Sequence, residues 1–309
     1  MVSVSSSPAQ ENRPLYAMGL RLLSALMISI NFACVKWASD RGVHVVETLF
    51  YRQLFSLPVA MVALMLGPGL MSIRNARIGL HASRTAVGMT GMMLNFTAII
   101  LLPLAEATTI GFSVPIFATI LSVLFLGERP GIHRWLAVLV GFLGVVIIIN
   151  PSAAHEDISG FGVSIAIAGA IATSLVSLLL RQIGKTEAPT TTVFYFAALS
   201  LFPLGIAMLF FGQWHDPVTW LILLLMGTAG GVAQLLMTSS LRWGPVSLVL
   251  PMDYSSLLWS TLFGWMLWTA WPGSSTWVGA VVIAASSIYI GWRERKRNRE
   301  NLAHRHSHH

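Results

Sequence analysis

Ten apolar runs follow one another along this chain, at about 15–39, 48–66, 78–101, 104–126, 134–150, 160–181, 192–211, 218–241, 245–268 and 275–292. Each is close to the roughly 20 residues that an α-helix needs to cross a bilayer. Buried helices of a water-soluble protein would need polar sequence to cover them. Here 55% of residues are apolar and only 10% charged, with a mean hydropathy of +0.72, whereas soluble domains are about a quarter charged. The runs therefore predict an all-α polytopic membrane protein of ten transmembrane helices. The first run is too long for the apolar core of a cleaved signal, about 7–15 residues, and no small-residue cleavage site follows it. Cys34 is the single cysteine and lies inside a run, which excludes an internal disulfide and a cysteine-rich metal site.

The net charge of +7 reads as topology rather than as a nucleic-acid footprint. Arg74, Arg77, Arg129, Arg134, Arg181, Lys185 and Arg242 fall in alternate loops, and six more basic residues follow the last run. The other loops carry Arg41 and almost no other base. Basic loops stay on the cytoplasmic side, so both termini are expected inside, in a cell inner (plasma) membrane, with the basic tail touching anionic headgroups. The triplet Asn95-Phe96-Thr97 matches a glycosylation acceptor but sits within an apolar run, and the terminal HRHSHH reads as a solvated tail or tag remnant.

Residues 127–135 read GERPGIHRW and residues 269–277 read TAWPGSSTW. The two turns lie 142 positions apart and share Pro-Gly with a Trp four residues after the glycine, but the second has lost every charge. Ten runs split into two sets of five, and an odd number per set puts equivalent turns on opposite faces. The rule that loads one turn with arginine then excludes it from the other. This pattern predicts two repeats of inverted topology, a recurrent plan for secondary transporters. The expected organisation is a tail at 1–14, a first five-helix unit at 15–150, a second at 151–292 and a basic tail at 293–309.

The stretch LPLAEATTIGFSVPIFATILSVLFLGERPGIHRWLAVLVGFLGVVIIINP (102–151) resembles the fourth and fifth helices of EamA-type members of the drug/metabolite transporter superfamily. Likewise GTAGGVAQLLMTSSLRWGPVSLVLPMDYSSLLWSTLFG (227–264) is similar to the eighth and ninth helices of that family. The resemblance covers about 15–292. It implies ten helices in two EamA repeats and export or import of small solutes, without fixing which. Lys36, Glu47 and Arg52, with Arg84 opening the third run, look most like the branch that includes S-adenosylmethionine and riboflavin importers. One departure is Ala270, where second-half members often have an acidic residue.

Charges at bilayer depth are costly, about 2.5–3.5 kcal/mol on insertion scales, and normally face a cavity or a partner. Asp253 lies near the expected midplane, two residues after Pro251, whose missing N–H loosens a helix and frees carbonyls to line a cavity. It reads either as a proton-binding carboxylate or as a structural aspartate bonded to a neighbouring Ser or Tyr. Arg52 is placed to clamp a carboxylate or phosphate through its planar fork, or to pair with Glu106 at the start of the fourth run. Lys36 either snorkels to the interface or joins that cluster, and Arg84 snorkels or lines a site. Gln234, Asn95 and Asn31 are neutral polar groups in mid-run, suited to interhelical hydrogen bonds or to a site. Phe112, Tyr254 and Trp259 offer flat walls for an aromatic solute, and Pro115 repeats the proline of the ninth run. Trp37, Trp135, Trp214, Trp243 and Trp277 read as interfacial, and Gly88, Gly91, Gly227, Gly230 and Gly231 as close helix approaches.

The resulting expectation is a secondary transporter of a small organic metabolite (amino-acid-like, nucleoside-like or flavin-like), working by alternating access as a monomer or homodimer. No GxxxxGK[ST] phosphate loop is present, so a proton gradient or exchange would drive it, through Asp253 or Glu106. No cofactor, metal or nucleic acid is expected. A lipid-modifying enzyme would need a nucleophile–base or metal constellation, and neither an HExxH pattern nor a His near Cys34 is seen. A passive channel is the remaining alternative.

Overall fold

Hydrocarbon offers no partner to a backbone N–H or C=O, so a lipid-embedded segment must satisfy its own hydrogen bonds, and helices do so. The computed structural model describes residues 13–67, 69, 73, 77–126, 132–149, 159–183, 187–243 and 250–306, and these are helical throughout apart from the connections. The helices are α1 (Pro14–Asp40), α2 (Val45–Leu66), α3 (Ile78–Leu101), α4 (Leu104–Gly111), α5 (Val114–Leu126), α6 (Ile132–Ile149), α7 (Gly160–Ile183), α8 (Pro189–Phe211) and α9 (Pro217–Trp243). A 3-10 turn (Leu250–Tyr254) leads into α10 (Ser255–Trp268), and α11 (Ser274–His306) closes the chain. Seven segments among the described residues are long and apolar enough to cross a membrane, and Trp135–Ile148 and Ser274–Tyr289 are shorter apolar helices. The chain is a multi-pass membrane protein.

Several boundaries differ from the sequence reading, for local reasons. The second helix starts at Val45 rather than 48 because His44 and Glu47 form a capping box. Val46 N–H donates to His44 Nδ1, and Glu47 Oε2 accepts from the His44 N–H. Proline at the first turn starts α8 and α9 early. Asp216 caps α9 by accepting from the Thr219 hydroxyl and from the N–H groups of Thr219 and Val218. These bonds, the Thr219 hydroxyl foremost, hold its carboxyl below the usual carboxylate range. The last helix does not stop at 292 but runs on to His306, through tail sequence that contains neither Gly nor Pro after Trp292. The fourth run is not one helix: it breaks at Phe112–Ser113, just before Pro115. In its counterpart, Pro251 lies in the 3-10 turn that leads into α10, and residues 244–249 lie outside the described residues. Residues 127–131 of the charged turn lie outside the described residues, whereas the neutral copy is seen in full. There Thr269 takes φ 53°, a left-handed conformation that a β-branched residue resists; 142 positions earlier stands Gly127.

Helix packing has an internal exchange. α1 lies along α9 as α3 lies along α7; α2 meets α9 as α8 meets α3; the 3-10 turn and α10 meet α1 as α4 and α5 meet α7. The contacts of α6 with α11, α2 with α8 and α4 with α10 map onto themselves under the same exchange. Small residues set the close crossings. A Cβ placed on Gly91 would lie 3.1 Å from that of Ala172 on α7, and one on Gly230 would lie 3.0 Å from Asn31 Nδ2 on α1. Between α6 and α11, a Cβ on Gly144 would meet the Gly279 carbonyl at 3.1 Å, and one on Gly279 the Gly144 carbonyl at 2.7 Å. Lipid supplies no hydrophobic drive between helices, so approach of this kind carries the association. Large apolar side chains such as Leu66, Phe125, Phe202, Leu209 and Phe210 face outward.

Two carboxylate–imidazole clasps close opposite ends of the bundle and obey the same exchange. At the start of α2, Glu47 is fully buried and accepts from Gln213 N–H at 2.8 Å and His215 Nε2 at 3.1 Å, tying α2 to the α9 entrance. At the start of α3, buried His81 bonds Glu187 beside α8 and stacks on Tyr195. Glu187 also accepts from the Arg77 N–H at 3.0 Å. Burial would raise its pKa, but the hydrogen bonds from Arg77 and His81 and their charges outweigh it and hold the carboxyl below its ordinary 4.5.

Gly144→Val is expected to lower the melting temperature of the purified protein, as overpacking costs about 1–3 kcal/mol, while Gly19→Val, with nothing within 4 Å, leaves it unchanged. Because the Glu187 pKa is depressed on folding, its contribution is present above pH 4.5 and lost as pH falls through the lower folded value. The melting-temperature gap between wild type and Glu187→Gln should accordingly be full at neutral pH and shrink in acid; a gap that does not move with pH would contradict the clasp's electrostatic role.

Candidate functional site

The break in the fourth run and the 3-10 turn before α10 meet inside the bundle. Phe112, at the break between α4 and α5, and Tyr254, at the junction into α10, are 142 residues apart in sequence. Their rings touch edge to face with centroids 4.8 Å apart. Thr108 Oγ1 donates to Ser260 Oγ at 2.9 Å across the same contact, and Ser287 of α11 donates to the Phe112 carbonyl at 3.3 Å. Prolines at the breaks remove backbone donors, which explains why the chain turns here instead of continuing as straight helices.

Beside this junction lies a cavity of about 330 Å³ walled by α1, α3, α4, α7, α9 and the 3-10 turn. Its polar lining is Arg21, Ser24, Asn95, Thr108, Thr173, Gln234, Asp253 and Ser256, and Phe32 and Phe112 supply aromatic walls. Asn95 and Gln234 are 139 positions apart, as are Gly91 and Gly230, so each unit contributes one carboxamide from its third helix. Asn95 donates to Thr173 Oγ1 at 3.0 Å, which orients the amide and accounts for the glycosylation-like triplet as a site element inside a helix.

The strongest interaction in the cavity is a two-point ion pair. Arg21 Nε and Nη2 donate to the two carboxylate oxygens of Asp253, each at 2.5 Å, in the parallel fork that gives arginine–carboxylate pairs their strength. Arg21 also donates to the Met237 carbonyl at 3.3 Å. The arginine side chain is 6% exposed and the aspartate 40%, so one partner is fixed in the wall while the other faces open space. Arg21 lies eight residues after Arg13, whose N–H meets the Trp243 carbonyl at the end of α9. That is about 12 Å along the helix at 1.5 Å per residue. Arg21 is absent from the candidates drawn from sequence, although a lone arginine inside the 15–39 run is itself a signal for an acidic partner.

Of the remaining candidates, Gln234 and Phe112 line the cavity with Asp253, and Tyr254 joins them through its ring contact with Phe112. Trp259 is half-buried in α10 and outside the cavity wall. Arg52 and Glu106 are not brought together. Arg52 donates to Gln53 Oε1 at 2.7 Å, while buried Glu106 accepts from Thr276 at 3.0 Å on the far side of α4. Lys36 does not line the cavity: its ammonium caps α3 through the carbonyls of Ile99, Ile100 and Leu102 at 3.1, 3.3 and 2.7 Å, meeting the negative end of the helix dipole. Arg84 does not snorkel. It is 5% exposed and its guanidinium lies 3.8 Å from the centre of the Phe196 ring. Cys34 is buried and free.

Residues 15–150 and 160–292 each match the model of the EamA-like transporter family. Among characterised proteins, the chain is 29% identical over 238 residues to a riboflavin transporter of Vibrio cholerae, covering 75% of this chain and 78% of that one. It is 26% identical over 285 residues to an S-adenosylmethionine uptake transporter of Rickettsia bellii, covering 91% and 96%. A solved crystal structure superposes with a TM-score of 0.59 at 20% identity, over 91% of this chain and 98% of the other, which shows the fold alone.

If Arg21 and Asp253 form one unit, Asp253→Asn alone strands a buried guanidinium, and breaking a buried pair costs more than replacing both partners. The melting temperature should fall further in Asp253→Asn than in the double variant Arg21→Met/Asp253→Asn; equal falls would mean the pair is not coupled.

Proposed function

The chain belongs to the EamA-like transporter family, and from that premise we propose that it is a secondary active transporter of a small organic metabolite. The observation that carries the reading is the Arg21–Asp253 pair in a cavity walled by helices of both matched units. An isolated membrane protein gains nothing by opening a cavity around its best ion pair. A carrier does, because a solute bearing both an anionic and a cationic or hydrogen-bonding group can displace one partner and take its place. The carboxamides of Asn95 and Gln234 and the hydroxyls of Ser24, Thr108 and Ser256 supply neutral polar contacts, and Phe32 and Phe112 a flat wall. A volume of about 330 Å³ falls at the lower end of small-molecule sites, roughly 300–1,000 Å³.

Ten membrane crossings in two inverted units of five, 15–150 and 151–292, accord with the exchange of helix contacts and with the loop charges. In that arrangement both termini are cytoplasmic in an inner (plasma) membrane, the monomer carries a complete path, and alternating access follows from rocking one unit against the other. The break at Phe112 and the 3-10 turn Leu250–Tyr254 are where such motion is absorbed at least backbone cost. Amino-acid-like, nucleoside-like and flavin-like solutes fit a site that combines an ion pair with aromatic walls, and the named relatives transport an S-adenosyl amino acid and a flavin. Protons are the proposed coupling ion: protonating Asp253 would release Arg21 for the solute, and Glu106, with one buried oxygen lacking a partner, is the second candidate.

The test is counterflow in proteoliposomes with riboflavin, S-adenosylmethionine and a panel of amino acids and nucleosides. Trans-stimulated uptake of at least one class is expected, whereas flux limited to the gradient would mark a channel. Asp253→Asn should abolish uptake driven by an imposed pH gradient while expression is preserved; full coupling in that variant would end the proton assignment.

A further inference from the structure

Two arginines are buried outside the cavity without a carboxylate. Arg52 on α2 is 7% exposed and Arg84 on α3 is 5% exposed. Arg84 makes no hydrogen bond to a described residue, and its Nε and Nη1 are buried and unpartnered. Arg52 spends one N–H on Gln53, and its Nε is unpartnered. The two share an anchor. Gln53 Nε2 donates to Ser200 Oγ at 3.1 Å, and Ser200 Oγ in turn to the Phe196 carbonyl at 2.5 Å, while Arg84 lies over the Phe196 ring. One turn of α8, Phe196–Ser200, therefore meets Arg84 directly and Arg52 through Gln53. Two buried acceptors or donors beside them, Asn31 Oδ1 and Thr85 Oγ1, are also unsatisfied.

An arginine in hydrocarbon normally finds a carboxylate or backbone carbonyls, and a second cation nearby adds repulsion. Glu47 on α2 bonds Gln213 and His215, and one Glu106 oxygen bonds Thr276, so neither carboxylate pairs with these arginines. Glycines let both guanidiniums pack against helix backbone. A Cβ on Gly230 would lie 3.1 Å from Arg52 Nε, and one on Gly88 3.4 Å from Arg84 Nη1. Gly230 is one turn before Gln234, which lines the cavity, so this compartment adjoins the solute site without being part of it.

We infer that Arg52 and Arg84 form an anion-binding site for one carboxylate or phosphate group, held between α2, α3, α8 and α9. The planar forks supply the unpaired N–H donors, and the Phe196 face keeps Arg84 oriented. The anion is what allows two cations to stay buried together. It is supplied either by a free solute or by the headgroup of an anionic lipid, and the site is independent of what the cavity transports.

The test uses the purified full chain and no transport readout. Its melting temperature is measured against inorganic phosphate, with sodium chloride at equal ionic strength as control, and separately in phosphatidylcholine nanodiscs with and without phosphatidylglycerol. Saturable stabilisation by phosphate, about 3 °C or more, is expected from ligand linkage; stabilisation by phosphatidylglycerol alone would identify the lipid headgroup as the source. Either effect should vanish in Arg52→Gln and Arg84→Gln. Should those variants not fold, Arg52→Lys and Arg84→Lys keep the charge but lose the fork, and half-saturation should rise about tenfold or more. The inference is overturned if neither anion stabilises the wild type, if the glutamine variants respond like the wild type, or if the lysine variants bind unchanged.

Discussion

A polar group carried into hydrocarbon has to find its partner within the protein, and this requirement arranges nearly everything else in the bundle. Backbone groups meet it by forming helices. The side chains meet it pairwise, and the pairs decide which helices touch: Arg21 with Asp253 joins α1 to the 3-10 turn, Glu47 with His215 joins α2 to the α9 entrance, and His81 with Glu187 joins α3 to the α8 entrance. Apolar packing alone would not specify these neighbours, since lipid tails are as good a partner for leucine as another helix is.

The exchange that maps the helix contacts onto themselves gives the same chemistry two placements. The Glu–His clasps close opposite ends, the carboxamides of Asn95 and Gln234 enter the cavity from equivalent helices, and Phe112 at the α4–α5 break meets Tyr254 at the entry to α10. What breaks the equivalence is charge. The ion pair in the cavity is made by α1 and the 3-10 turn, and Arg52 and Arg84 sit on α2 and α3. These charges are thus the features in which the two units differ.

Candidate residues divide according to whether a partner was visible from sequence. Asp253 stood out because it follows Pro251 in an apolar run, and its placement in the cavity accords with that. Gln234 and Phe112 line the same cavity. Arg21 was equally conspicuous as a charge within 15–39 but had no local partner, since Asp253 is 232 positions away. Pairing with Glu106, one of the two alternatives for Arg52, does not occur: Thr276 takes one Glu106 oxygen and Gln53 takes an Arg52 N–H. Lys36, which sequence leaves between the interface and that cluster, bonds the carbonyls at the end of α3.

The sequence by itself determined that the chain is helical and membrane-embedded, that it repeats, and that ionisable groups are carried to depth. Those properties follow from hydropathy, loop charge and residue spacing, which are local or additive along the chain. Only the tertiary structure decided which charges neutralise each other, where the fourth run breaks, and which polar side chains share a cavity. These depend on distances between segments more than a hundred residues apart, and in a bundle the choice among partners is set by helix packing, which short-range pattern does not encode.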